Sequence, residues 1–209
     1  MSFADDVPLH RTAQKLVDTV IEMLQTTAYS KIKSENVLVR SGITRGPLYH
    51  HFADFDDLIQ TAQIQLYKSF AFDVISQLVK VIEATDDLEN ARRELHSFVE
   101  NRSRRITYTL LRQRVGIIHN AASMLNLREK LNNTQEALTQ EWMKAYQICL
   151  DKGWADPTMD PRCVAILMQS SFIGRVLDEM SSVQMDVNEW VKVLSRLFDS
   201  FFFAGDKST

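Results

Sequence analysis

Glycine, proline and cysteine are scarce in this chain of 209 residues, with six, four and two of each. So few glycines and prolines exclude collagen-like, proline-rich and glycine/serine-linker segments. Two cysteines, Cys149 and Cys163, make neither a disulfide framework nor a metal cluster. They suit a reducing compartment, where a free thiol behaves as a small hydrophobe. Uninterrupted apolar runs long enough to span a bilayer are missing, so no membrane partner is expected. The opening MSFADDVPLH lacks the basic and apolar regions of a secretory signal. The expected location is therefore cytoplasmic. Catalytic signatures are missing too: no Gly-x-Ser-x-Gly, Walker loop, dinucleotide fingerprint or His-Glu-x-x-His occurs. The sequence predicts no enzyme, no metal and no cofactor.

What is present is ordinary globular material, 45% apolar and 24% charged. A chain of this length folded as one unit buries roughly 70% of its unfolded surface. Strict alternation is almost absent and helical spacing is everywhere. Ala13, Leu16, Val17, Val20, Ile21 and Leu24 form one amphipathic stripe. The spacing predicts a first helix over 8–27, with Pro8 in its first turn. A short second helix is predicted over 34–41 with Ser34 as its N-cap. Gly42 then punctuates the chain, and Thr44 caps a third short helix that carries Pro47 in its first turn. A long helix is predicted over 54–84, capped by Asp54, with Asp56 and Asp57 favouring its positive end. Asp86 with Glu89 predicts the next capping arrangement. The stretch 87–119 reads as two helices broken near Ser103. A long helix over 124–152 stops at Gly153. Asp160-Pro161 opens a helix over 161–181, and Asp186 caps a last one over 187–203. The expected fold is all-α, with about nine helices.

The informative stretch is 28–58. A helix, a glycine-containing turn and a second short helix make a helix-turn-helix layout. Gly42 supplies the turn conformation that a β-carbon resists. Leu48 and Phe52, four residues apart, anchor the second helix inward. Thr44, Arg45, Tyr49 and His50 are left to face a groove, where helix N-terminal residues reach base edges. Otherwise they form a solvated helix end. His51 is expected to be packed or hydrogen-bonded beneath the motif. Adjacent His50 and His51 point apart, which disfavours a metal site between them.

These residues resemble the DNA-binding domain of the TetR/AcrR family of transcriptional regulators. The matches are Gly42-Ile43-Thr44, Leu48-Tyr49-His50-His51-Phe52 and Leu58, with Tyr29 and Val37 also fitting. Departures are Ala28 for the family's glycine, and Ile32-Lys33 for its Thr/Ser pair. Leu38 replaces a small alanine, and Phe55, among Asp54, Asp56 and Asp57, replaces a phosphate-gripping lysine. The resemblance implies a helix-turn-helix DNA-binding domain over 1–53 and a larger effector-binding and dimerisation domain over 54–209. It implies DNA contacts by Lys33, Thr44, Arg45, Pro47, Tyr49 and His50, with double-stranded DNA bearing a palindromic operator as partner. It further implies an unidentified small-molecule effector and a homodimer, most simply a repressor. The alternative is a TetR-like helical interaction module that has lost strong DNA binding and acts through protein contacts.

Phe70, Phe98, Tyr108, Trp142, Tyr146 and Phe172 are candidates for an effector pocket, with His119 and Arg175 as polar anchors. Each aromatic would serve equally as core. The last two helices carry more apolar surface than a monomer easily buries. Leu167, Val176, Trp190, Leu194, Phe198 and Phe201 are candidates for a two-fold interface.

Charge is uneven along the chain. The total is −3, yet residues 28–53 carry +3, residues 54–91 carry −6 and residues 92–114 carry +5. The basic run holds Arg92, Arg93, Arg102, Arg104, Arg105, Arg112 and Arg114. It is either a solvated face paired with the preceding acids or a grip for an anionic effector or partner.

Overall fold

The computed structural model describes residues 8–105 and 107–204, leaving aside the side chains of Phe70, Tyr108 and Leu110. Among the described residues there are nine α-helices and no strand. They are α1 Arg11–Leu24, α2 Ser34–Ser41, α3 Arg45–His51, α4 Phe55–Glu83, α5 Leu88–Arg105, α6 Tyr108–Ser123, α7 Leu125–Asp151, α8 Pro161–Glu179 and α9 Val187–Phe202. A single 3-10 turn, Tyr29–Lys31, precedes α2. The expected all-α class is what the structure has. No helix of the described residues is long and apolar enough to cross a membrane.

Helix starts are where local chemistry corrects the sequence expectations. Pro8 lies outside α1, which begins at Arg11; the cap is His10, whose imidazole accepts from the Thr12 N–H at 3.3 Å. The cap of α2 is Lys33, in extended conformation, and Ser34 is already helical. Thr44 does cap α3, but by backbone conformation alone, since its hydroxyl makes no cap hydrogen bond. At α4 the expected cap forms: the Asp54 carboxylate accepts from the Asp57 N–H at 2.7 Å. Asp57 reaches back to accept from the Ala53 N–H at 3.1 Å, so two orphan donors are satisfied reciprocally.

The cap of α5 is Asp87, which accepts from the Glu89 N–H at 3.1 Å, and not Asp86. Asp86 is drawn instead to the Lys152 ammonium at 2.9 Å. Lys152 also donates to the Ile82 carbonyl at 3.1 Å and to the Thr85 carbonyl, and so covers the C-terminal end of α4. The break between α5 and α6 falls after Arg105, not at Ser103, which is buried in the last turn of α5. The Ser103 carbonyl is taken by the Arg175 guanidinium at 2.7 Å, which satisfies one orphan acceptor of that turn.

Gly153, at φ +70°, ends α7 as expected. The Trp154 N–H bonds to the Cys149 carbonyl at 2.8 Å and the Gly153 N–H to that of Leu150 at 2.9 Å, a paired left-handed stop. Asp160 caps α8 through the Cys163 N–H, and Asp186 caps α9 through the Asn188 N–H.

The described chain groups into two compact units, one reaching Ser69 and including Gln113–Thr134, the other holding Phe70–Arg112 and the chain from Gln135. The first unit has its own core. Leu16, Val17 and Val20 of α1 meet Val37, Leu48, Phe52, Leu58, Ile59 and Ala62. Its first three helices are tied to the helices that follow. Gln14 of α1 donates to Gln65 of α4 at 3.0 Å, and Gln113 of α6 donates to the Leu24 carbonyl at 2.8 Å. Lys130 of α7 donates to Asp57 at 2.5 Å. The packing unit that contains the helix-turn-helix therefore extends past residue 53.

The second unit is built on aromatics. Trp142, Phe172 and Phe198 have ring centroids 6.1–6.3 Å apart, and Phe198 stacks on Phe202, which meets Tyr146 edge-on. Helix α9 lies along α5, joined by His96 to Asp199 at 2.9 Å and Arg104 to Asn188 at 2.8 Å.

Candidate nucleic-acid interface

The presenting element is α3. Leu48 is fully buried and Phe52 nearly so, which fixes the roll of this seven-residue helix. Gly42, at φ +66°, makes the turn from α2 in the left-handed region, where a β-carbon would be strained. With the inward face spent, Thr44, Arg45, Gly46, Tyr49 and His50 are exposed, as is Lys33 ahead of α2. Pro47 is half-buried at the third helical position. A β-carbon built on Gly46 meets nothing within 4 Å, so the surface there is open to a close approach. All six residues expected to face DNA thus lie in or directly ahead of the helix-turn-helix, five of them exposed.

Three of the residues that depart from the resembled motif serve the core. Ile32 is buried in the first unit's core, and Leu38 and Phe55 pack against that core. Phe55, where the resemblance implies a phosphate contact, is a packing residue. Asp54 and Asp56 stay exposed beside it.

Charge on this face is partly neutralised from within. Arg45 pairs with Glu35 at 3.4 Å and Arg40 with Glu22 at 3.3 Å, all four side chains more than half exposed. Lys31 and Lys33 form no ion pair among the described residues. Exposed pairs of this kind contribute about 0–1 kcal/mol, so a phosphate or base edge can displace them. His51 sits where the sequence expected it, half-buried, its ring stacked on His10 at 5.0 Å and edge-on to His50 at 4.9 Å. Burial first, then the charges of His50 and His10, hold the His51 imidazole below its ordinary value. Among the described residues no group of His, Cys, Asp and Glu could hold a metal ion.

The expected pocket residues fall into different environments. Phe98, Trp142, Tyr146 and Phe172 are buried, and all but Phe98 join the aromatic core by ring contact. The Tyr146 hydroxyl donates to the Asp156 carbonyl at 2.7 Å, and burial raises its pKa above the ordinary value. His119 is exposed, and Arg175 holds the Ser103 carbonyl. The side chains of Phe70 and Tyr108 lie outside the described residues.

The expected interface residues divide similarly. Leu167 is exposed, while Val176, Trp190 and Phe201 are half-buried. Leu194 and Phe198 are spent in the chain's own core, because α9 turns that face to α5 and α8. Exposed apolar side chains on and beside α8 and α9 are Ile166, Leu167, Leu177, Met180, Val183 and Val193. Of these, Leu167 is among the expected interface residues; Met180 and Val183 lie past the end of α8 at Glu179, where helical spacing no longer assigns a face.

Most of the arginine run is paired. Arg92 meets Glu89 and Asp199, Arg102 meets Asp73, Arg104 meets Glu100 and Arg112 meets Glu179, all within 4.0 Å. Arg114 differs. It is buried on α6 over the Tyr67 ring, with its carbon 5.0 Å from the ring centroid.

No protein-family model matches the sequence, and no curated protein matches it. Solved structures do match. One is a protein from Mesorhizobium loti assigned to the TetR family of transcriptional regulators, at 17% identity and TM-score 0.70, covering 93% of this chain and 96% of that one. Another from Rhodococcus sp., assigned likewise, has 15% identity and TM-score 0.67, covering 91% and 98%. The regulatory protein TetR from Rhodobacter sphaeroides has 15% identity and TM-score 0.61, covering 92% and 100%. At such identities the likeness is one of fold.

Proposed function

We propose, from a fold that is that of the TetR-type transcriptional regulators, that this chain is a ligand-responsive, DNA-binding regulator. It acts as a homodimeric repressor that leaves a palindromic operator when a small molecule binds. Residues 1–53 read DNA, and 54–209 receive the effector and make the dimer. The observation that carries this is the exposed face of α3, where Arg45, Tyr49 and His50 stand on a helix whose roll is fixed by Leu48 and Phe52.

A helix of this size enters a major groove, with Arg45 at its first position poised to fork onto a guanine edge. Tyr49 and His50 lie further along, and Lys33 and Thr44 reach phosphate, which positions without specifying. Two such helices about 34 Å apart in a dimer read two half-sites. The exposed apolar side chains of α8 and α9 supply one self-complementary patch, which is all an isologous dimer needs. The effector works by preferring the conformation that cannot span both half-sites; a coupling of about 1–3 kcal/mol is enough.

A second reading is favoured by a specific observation. Glu35 occupies Arg45, and Phe55 with Asp54 and Asp56 stands where phosphate would be gripped. A chain so altered would act as a protein-interaction module on the same scaffold. Fluorescence anisotropy with the gene's own upstream region, at two salt concentrations, separates the two. The regulator binds with a steep salt dependence; the interaction module stays dimeric and binds at neither.

A further inference from the structure

Arg114 is a buried charge with no counter-charge among the described residues. Its residue is 8% exposed. Among the described residues no carboxylate pairs with it; its guanidinium donates to the Tyr67 hydroxyl at 3.4 Å, and its Nε has no protein partner. The aromatic face beneath it offsets part of the desolvation penalty but supplies no negative charge. Buried guanidinium groups are ordinarily paired and fully hydrogen-bonded, because an unpaired one is costly. Four other arginines of the run, Arg92, Arg102, Arg104 and Arg112, contact carboxylates, and Arg114 is the one buried residue among the seven.

Buried polar and apolar side chains share the faces of α4 and α6 that carry Tyr67 and Arg114. Gln63, one helical turn before Tyr67 on α4, is 2% exposed, and its Oε1 has no partner among the described residues. Gln60 lies on the same face and is also buried. Along α6 the turns after Arg114 bury Ile117 and Ala121, and α4 buries Ile64. All of these residues belong to the first compact unit.

We propose that Arg114, Tyr67 and Gln63 form the anchor for a small monocarboxylate with an apolar body, seated between α4 and α6. A single cation matches a single negative charge; a phosphate dianion would leave a surplus buried charge. The carboxylate accepts two parallel N–H bonds from the guanidinium fork, which the Tyr67 ring holds in place from beneath. The proposal deepens the ligand-responsive reading and rests on it for its biological use. The neighbouring Gln113 holds the Leu24 carbonyl at the end of α1, so a shift of α6 that admits the ligand also acts on the helix that packs against α2 and α3.

The test uses the full chain without DNA, so its outcome is independent of whether an operator exists. Benzoate and hexanoate are titrated by calorimetry and thermal shift against wild type, Arg114→Met and Tyr67→Phe, with benzamide and inorganic phosphate in parallel. Expected is saturable carboxylate binding that raises the melting temperature, weakened about ten- to hundredfold in Arg114→Met. The unliganded Arg114→Met protein should melt no lower than wild type, since an apolar side chain replaces an unpaired charge. The amide should bind at least tenfold more weakly than the acid. Three results would overturn the proposal: equal binding by Arg114→Met, binding of phosphate but of neither carboxylate, or no binding by either carboxylate at 10-millimolar concentrations. A marked fall in melting temperature for unliganded Arg114→Met would assign the guanidinium to fold stability and overturn it as well.

Discussion

Substituting Phe198 by alanine separates two roles that helix α9 could play. Phe198 is fully buried, and its ring touches those of Trp142, Phe172 and Phe202 with centroids 5.7–6.3 Å away. Removing a ring from such a site costs about 3–5 kcal/mol, since the lost burial is compounded by the cavity left behind. For a chain of this length each kcal/mol moves the midpoint by roughly 2–4 °C, so a fall of about 6–20 °C is expected. The variant should remain dimeric at temperatures where it is folded. Leu177→Glu is the counterpart. Leu177 is 77% exposed on α8, so a glutamate there costs the single chain no more than about 0.5 kcal/mol. In a two-fold contact the same charge would be buried against its own copy, and the dimer should dissociate. Differential scanning calorimetry and sedimentation velocity on both variants provide the readout. If Phe198→Ala breaks the dimer while losing under about 1 kcal/mol of stability, the in-chain core described for α9 is wrong.

Three further outcomes are expected. Arg45→Ala should weaken operator binding by about 1–3 kcal/mol and relax base preference in its half-site, whereas Glu35→Gln should tighten it modestly by releasing Arg45; both are read by anisotropy on operator variants. Folding stability should fall as the pH drops below the ordinary histidine value, because the lowered His51 pKa makes the unfolded chain take up a proton first; unfolding curves between pH 7.5 and 5.5 should show a smaller loss for His51→Gln. A thiol reagent should label Cys163, which is exposed, in the native protein, and Cys149 only on unfolding, because burial pushes the Cys149 thiol up to about 12.

Much of this was legible because the decisive signals are local. Helical spacing, Gly42, Gly153 and the Asp160-Pro161 pair each act within a turn of themselves, and the structure follows them. Where two local choices were nearly equal, a distant residue decided. Asp86 and Asp87 are both able caps, and Lys152 takes the first, leaving the second to cap α5. Ser103 reads as a break, but Arg175 satisfies its carbonyl and the helix continues two residues further. The face of α3 could be assigned from Leu48 and Phe52 alone. Its ion pair with Glu35 could not, because the two residues lie on different helices. The link from Lys130 to Asp57 spans 73 positions and leaves no periodic trace. Trp142, Tyr146 and Phe172 were ambiguous for the same reason: composition cannot tell a pocket wall from a core, and ring contacts can.

The most direct test of the proposed function is anisotropy of the full-length chain on its own upstream DNA, set against a scrambled duplex, at 50 and 200 mM salt. Expected is binding at least a thousandfold tighter to the upstream sequence, falling steeply with salt and abolished by substituting alanine for both Arg45 and Tyr49. Equal affinity for both duplexes, or none for either from a folded dimer, would contradict it.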